Sequence, residues 1–311
     1  MERFVVFLDL LGFATFMSQD KEGAIRLLWN YETILATKKI EDNLHPVTSY
    51  EQSLQSLAEK RSINSFEYFL PFSDSLIVTS TAEEADVFLK QIGSFILDSF
   101  LFTARAYKAG GEATTVDMTH LVDEGNGSFR KIIVKEQWFP VLFRGGMTYG
   151  DAEVLEKTAL YSGKAGSSYC VAGGAMIDAV ILEKKYEGPG LVFNEFVYKK
   201  IRDKDFIARY VGTHDHAYEL FWPGLYFIDG NNATTEKLKF AELFIPAVNL
   251  WKLYSHLECS PKYFYFIKLV IRSTFAFFKE RLKEAEIEEM VRHYIVKEGI
   301  QAKVNELLDR S

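Results

Sequence analysis

The sequence predicts an α+β fold, a ferredoxin-like domain whose antiparallel-rich sheet carries helices on one face, followed by a helical C-terminal extension. Three observations lead there. Apolar runs of strand length alternate with stretches of helical spacing in the order βα(α)ββαβ, the split βαβ pattern, and then α, β, a short helix and β. Two short strand-like runs join near Ser73-Asp74 in the manner of a hairpin. From about residue 231 onward the pattern is mostly helical and ends in the charged EAEIEEMVRHYIVKEGIQAKVNELL. The expected division is therefore a sheet domain over 1–230 and a helical extension over 231–311.

Each element follows from local pattern. VVFLDLLGFATF, residues 5–16, reads as a buried first strand. KEGAIRLLWNYETILATKKI then sets Ile25, Leu28, Tyr31, Ile34 and Leu35 at helical spacing. Residues 41–65 are polar, with a loop around Pro46 and a second helix in SYEQSLQSLAEK. FEYFLPF and DSLIVTS are the hairpin strands. AEEADVFLKQIGSFILDSFLFTARAY is an amphipathic helix with Val87, Leu89, Ile92, Phe95 and Ile96 on or near its apolar face. Residues 109–132, polar and glycine-containing, read as an exposed insertion. FPVLFRGGMTYGDAEVL returns to strand character, and Gly145-Gly146 permits a close backbone approach or a bulge. GGAMIDAVILEKKY is a helix, GPGLVFNE a turn and strand, FVYKKI a short helix, and AYELFWPGLYFID closes the sheet. In YFYFIKLVIRSTFAFF, residues 263–278, Lys268 and Arg272 interrupt the run before the ~20 apolar residues of a membrane span, so it reads as a buried or interface helix.

Composition narrows the function classes. Hydrophobic content of 48% and charged content of 25% are those of a folded globular protein. A formal net charge of -7 speaks against a general nucleic-acid binder. Cys170 and Cys259 are too few for a disulfide framework and fit a reducing compartment. The N-terminus has a strand pattern in place of a basic n-region and cleavage site, so the expected location is cytoplasmic, with neither membrane nor nucleic acid as partner.

Asp9 is the residue that needs explaining. An unpaired carboxylate in an apolar strand costs several kcal/mol, so Asp9 requires a cation, an arginine or backbone donors. In the predicted fold the end of the first strand lies beside the hairpin tip, which brings Asp9 and Asp74 together across 65 positions. Divalent ions between two such carboxylates turn repulsion into a site, and oxygen donors suit Mg2+ or Mn2+. Gly12 and Phe13 offer backbone N–H groups near a helix start, a seat for phosphate. The residues alone leave a plainer reading open, with Asp9 as a helix N-cap and Asp74 as a turn residue.

FLDLLGF, FSDSLIV, RGGMTYG and GGAMIDAVILE with PGLVFNEFVYKKI resemble, in order and approximate spacing over residues 4 to about 229, the class III nucleotidyl cyclase domain. The resemblance implies that Asp9, Asp74 and the Leu10 carbonyl hold two divalent ions and that Gly12 and Phe13 seat the triphosphate. It further implies attack of the 3'-oxygen on the α-phosphorus with loss of pyrophosphate. Two departures matter. Leu70 stands four residues before Asp74, where purine cyclases carry a Lys or Glu that reads the base, and the family's ribose-orienting Asn and transition-state Arg fall near Ile177 and Ile181.

With SDS at the hairpin, RGG on the next strand and GxAxxxAxxLE on the helix, the set is similar to the pyrimidine cyclases of bacterial Pycsar antiphage defence. That likeness implies cyclic UMP, or else cyclic CMP, made from the pyrimidine triphosphate with Mn2+ favoured. It also implies a homodimer with interfacial active sites and a cyclic-nucleotide-responsive effector downstream. Arg144 is the candidate for nucleotide contact and for part of the missing transition-state stabilisation, a salt-bridged arginine being the alternative. A purine cyclase with a rearranged pocket and a catalytically silent nucleotide-binding module are the competing functional readings.

Other features weigh less. His214 and His216 suit a metal on a strand but read better as a solvated loop, and YSGKAGS lacks the spacing of a phosphate loop. Cys170 reads as packed in a strand, and Tyr149 is placed to approach a base from the Arg144 strand.

Overall fold

A computed structural model describes residues 1–44, 65–104, 115–124, 128–137, 139–161, 164–214, 216–227 and 233–308. The helix expected in SYEQSLQSLAEK lies outside these residues. In chain order the elements are β1 (Glu2–Leu10), α1 (Phe13–Gln19), α2 (Lys21–Leu44), β2 (Tyr68–Phe72), β3 (Ser75–Ser80), α3 (Ala85–Ala104), β4 (Thr115–Asp123), β5 (Phe129–Gln137), β6 (Phe143–Asp151), β7 (Glu153–Tyr161) and β8 (Lys164–Ala172). There follow α4 (Gly174–Lys185), β9 (Leu191–Phe193), α5 (Glu195–Tyr198), α6 (Lys204–Tyr210), β10 (Val211–His214), β11 (Ala217–Leu220), α7 (Ala233–Leu253), α8 (Ser260–Phe278), α9 (Glu284–Lys297) and α10 (Val304–Leu308).

Seven strands form one mixed sheet in the order β10-β11-β9-β6-β1-β3-β2. The run β6-β1-β3-β2 is antiparallel throughout, the predicted ferredoxin-like half, and β9 joins it parallel to β6. The fold is thus α+β, with the helices α7 to α10 following the sheet in sequence.

Alternation along β1 builds two faces. Phe4, Val6, Leu8 and Leu10 point into the main core with Phe88, Ile92 and Phe95 of α3 and Phe266 of α8. Val5 points the other way, into a smaller cluster with Ile77, Ala175 and Ala179. The helical layer expected on one face is present but is not confined to it, because α4 packs on the opposite face through Ala175 and Ala179. Gly146 makes that possible: a Cβ on it would come within 2.1 Å of the Ala179 carbonyl oxygen and 2.8 Å of the Glu183 nitrogen. The Gly145-Gly146 pair is thus a close approach and not a bulge, since β1 and β6 stay in register from Glu2↔Asp151 to Leu10↔Phe143.

Several boundaries differ from expectation. The first strand stops at Leu10 because Gly12 takes a left-handed conformation, φ +80°, and starts α1. The 109–132 insertion contains a hydrogen-bonded ribbon, β4 against β5, that runs on to Gln137; TVDMTHLVD carries a strand alternation that its polar content obscured. A second ribbon, β7 against β8, was not anticipated, and YSGKAGS supplies the end of β7 at Tyr161 and the start of β8 at Lys164. Cys170 lies on β8 but is exposed, and among the described residues that two-stranded ribbon pairs with no further strand.

The helix α8 is buried, as its apolar run predicts. Phe266 meets Phe100 edge-on at 4.9 Å and stacks on Trp222 at 5.5 Å, which joins the C-terminal helices to the sheet's own core. Among the described residues the helix long and apolar enough to cross a membrane is α3, and 72% of that stretch is buried inside the fold.

Candidate active site

One row of the sheet carries the acidic residue that the sequence singles out. Phe72 on β2 opposes Ser75 on β3, Ser75 opposes Asp9 on β1, and Asp9 opposes Arg144 on β6. Opposed residues share a face, so all four project to the α4 side. Arg144 donates to Asp9 Oδ2 from Nε at 3.3 Å and from Nη2 at 3.1 Å, and Ser75 Oγ donates to Oδ1 at 3.1 Å. Of the partners the sequence allowed for Asp9, the arginine is present. Arg144 is thus salt-bridged to Asp9. The N-cap reading of Asp9 fails, because Gly12 caps α1 and no side chain bonds there.

Asp74 sits in the Ser73-Asp74 turn, where Ser73 adopts φ +52°. Its carbonyl accepts from the Leu10 N–H at 3.0 Å, tying the turn to the end of β1. The two acidic residues are close enough to interact. Burial raises the Asp9 carboxyl above its ordinary range, Arg144 pulls it back, and the charge of Asp74 raises it again. Tyr31 donates to the Ser75 carbonyl at 2.8 Å, and burial together with Glu32, Asp74 and Asp9 pushes its phenol up.

Glu183 was not foreseen. It is 2% exposed on α4, and its Oε1 lies 2.5 Å from Arg144 Nε, an ion contact that lacks the alignment of a hydrogen bond. Burial raises its carboxyl, Arg144 opposes that, and Asp9 adds to it; Lys184 and Lys262 act weakly against it. A signal was available in the sequence. Ala175, Ala179 and Glu183 recur every four residues, so the glutamate shares the face that packs on Gly146.

Gly12 and Phe13 open α1, whose first-turn N–H groups have no intrahelical acceptor. A Cβ on Gly12 would lie 3.2 Å from Tyr263 Oη, so α8 also reaches this end of the sheet. Leu70 is half-buried and packs beside the Val5 and Ile77 cluster, one register step from Phe72. Ile177 and Ile181 are 61% and 44% exposed on α4.

Tyr149 is elsewhere. It packs on Phe4 at 4.8 Å and under Lys200 Nζ at 3.8 Å, on the main-core face, because five positions from Arg144 reverse the side of the strand. His214 ends β10, with its ring 4.6 Å from that of Tyr186, and His216 is exposed in the turn to β11. Among the described residues no group of three or more His, Cys, Asp and Glu is gathered to hold a metal. The donors that fit a hard divalent cation are Asp9, Asp74 and the backbone between them, and a cationic side chain already rests on Asp9.

No protein-family model and no curated protein matches the chain. Solved structures do. The dimeric guanylyl cyclase domain of the RhoGC fusion protein from the aquatic fungus Blastocladiella emersonii is 10% identical with a TM-score of 0.38, over 70% of this chain and 95% of that one. The adenylyl cyclase CyaB from P. aeruginosa is 15% identical with a TM-score of 0.37, over 74% and 95%. The guanylate cyclase domain of RhGC from Catenaria anguillulae, in complex with GTP, is 12% identical with a TM-score of 0.36, over 70% and 95%. All three are nucleotidyl cyclases. At such scores the likeness bears on no activity of this chain.

Proposed function

We propose that this chain is a metal-dependent nucleotide cyclase that converts UTP, or else CTP, into the 3',5'-cyclic monophosphate and pyrophosphate. The observation that supports it most is the 3.0 Å bond from the Leu10 N–H to the Asp74 carbonyl, which fastens one acidic residue beside another on the rim of the sheet. Asp9, Asp74 and the Leu10 carbonyl would hold two divalent ions, Mn2+ or Mg2+. Such ions neutralise phosphate charge and lower the pKa of the attacking 3'-hydroxyl.

The rest falls to the chain. Gly12 and Phe13 donate their N–H groups to the triphosphate at the mouth of α1. Arg144, a planar cation on the same face, contacts the nucleotide and stabilises charge that grows on the α-phosphate oxygens. Together they orient the ribose oxygen in line with the departing pyrophosphate. Leu70 presents a methyl surface where a purine edge would need a hydrogen-bonding partner, which favours the smaller base. The active form is a homodimer with interfacial sites, and the product serves a cyclic-nucleotide-responsive effector in antiphage defence. Incubation with each of the four NTPs and Mn2+ tests the reading: pyrophosphate and a cyclic product from UTP or CTP uphold it, and preference for ATP or GTP overturns the base assignment.

A second reading is a silent module that binds nucleotide and signals by shape. Ile177 and Ile181 favour it, since these exposed side chains on α4 offer no hydrogen bond to ribose or phosphate. Absence of turnover with all four NTPs selects it.

A further inference from the structure

Arg144 lies between two carboxylates that do different things. Asp9 receives the hydrogen bonds of Arg144, at 3.1 and 3.3 Å, whereas Glu183, behind it on α4, meets Nε in a 2.5 Å ion contact. Glu183 is almost wholly buried, and among the described residues no hydrogen bond satisfies its Oε1. A buried carboxylate with one ion contact is costly unless the arginine stays close. The same guanidinium occupies Oδ2 of Asp9, while Ser75 Oγ donates to Oδ1, so a cation that binds Asp9 at Oδ2 competes with it.

The geometry points to Arg144 as the resident counter-ion of Asp9 and to Glu183 as the positioning residue that retains it when a divalent cation takes its place. This rests on the metal reading proposed above. In the free protein Arg144 keeps Asp9 neutralised without metal. When the cation arrives, the guanidinium gives up Oδ2 and keeps Glu183, whose unsatisfied oxygen then gains an aligned donor. The cation of the chain is moved aside and remains on the α4 side of the sheet. Metal affinity is therefore set by a competition inside the protein, with Glu183 as the acceptor that makes the exchange affordable.

The experiment is a Mn2+ titration of nucleotide-free protein, read from the electron paramagnetic resonance of free Mn2+. Arg144→Gln is expected to tighten Mn2+ binding roughly tenfold, the scale of one charge-assisted competitor removed. Glu183→Gln is expected to weaken it several-fold, because Arg144 loses its alternative partner. Direct electrostatics would also weaken it, so the double variant decides. In the Arg144→Gln background the Glu183→Gln change is expected to have less than about a twofold effect. A loss there as large as in the wild type overturns the role of Glu183, and unchanged affinity in Arg144→Gln overturns the competition. The double variant removes both charges together and should still bind Mn2+ more tightly than wild type, which keeps the test open if Arg144→Gln alone does not fold. Asp9→Asn separates the two ideas. If it abolishes Mn2+ binding while Arg144→Gln changes nothing, the metal site stands and the competition falls; if Asp9→Asn binds Mn2+ as wild type does, both fall.

Discussion

Gly146 on β6 and Ala179 on α4 meet backbone to backbone, so that a single methyl group on the glycine would stand 2.1 Å from the alanine's carbonyl oxygen. This contact seats α4 on the sheet and carries Glu183 to Arg144. Neither atom belongs to a flexible side chain that could turn away. Gly146→Ala should therefore lower stability by about 2 kcal/mol, within the range for overpacking, measurable as a shifted urea midpoint. It should also cost activity out of proportion to unfolding, because the helix must lift and take Glu183 with it. Gly150, with its nearest neighbour at 3.7 Å, is the control position and should accept alanine with little change.

Asp9→Asn and Asp74→Asn should each reduce cyclic product by at least about a hundredfold, the scale of losing one preorganised electrostatic element of a transition state, here a ligand of the proposed ions. Circular dichroism should report intact folding for both. Asp74 is half-buried in its turn, and its carbonyl, which holds Leu10, is retained by asparagine. For Asp9, asparagine keeps an acceptor for Ser75 and leaves Arg144 with Glu183. Full turnover by either variant removes it from the metal set.

The ferredoxin-like half was legible because its signals are local. FEYFLPF and DSLIVTS around Ser73-Asp74 predict the hairpin, and the hairpin brings Asp74 to Asp9. Arg144 stood out in sequence as a candidate cation but not as the partner of Asp9. That pairing depends on β6 aligning Arg144 opposite Asp9 across the sheet, a register no local pattern contains. Glu183 was hidden for a related reason. Its burial comes from α4 crossing the second face over Gly146, whereas a glutamate followed by Lys184 and Lys185 reads in sequence as a solvated helix end. Both ribbons were missed because polar residues dilute the alternation that announces strands in a core.

The outward face of α4 yields a test of assembly. Ile177 and Ile181, one turn apart, expose 61% and 44% of their surface, and Phe72 at the sheet's rim exposes 50%. A homodimer with interfacial sites would cover them. Ile181→Glu should then convert the dimer to monomer in sedimentation velocity and lose activity, while the protomer's thermal midpoint stays within a few degrees. A dimer unaffected by that charge places the interface elsewhere.

Two strands from β6, Glu219 on β11 is fully buried and is held by Arg272 Nη1 at 2.9 Å and Tyr265 Oη at 2.6 Å, both from α8. Thr213 and the Phe221 ring complete the seat of the guanidinium. Removing one partner of such a pair leaves an uncompensated charge in the interior, so Arg272→Met should cost about 3 kcal/mol in denaturant unfolding. Arg272→Met with Glu219→Leu should recover much of that loss. An equal penalty in both variants would mean that packing of α8, and not charge, carries the effect.

The same residue makes a signed prediction about pH. Burial raises the Glu219 carboxyl above its ordinary value, with Arg272, Tyr265 and His214 opposing. The folded state therefore holds this proton where the unfolded chain has released it, and stability falls as pH rises from about 4.3, the free glutamate value, through the raised one. Above that window the penalty is constant. Glu219→Gln has no such proton, so wild type minus variant should show a stability difference that declines with pH over this interval and then levels. Asp9 and Glu183, also raised, and Asp203, lowered by the Phe206 N–H and Lys90 against its burial, titrate alike in both proteins and cancel from the comparison. Denaturant midpoints at half-unit steps from about pH 4 to 8 read it directly, and parallel curves would show that Glu219 is ionised throughout, with Arg272 and Tyr265 outweighing its burial.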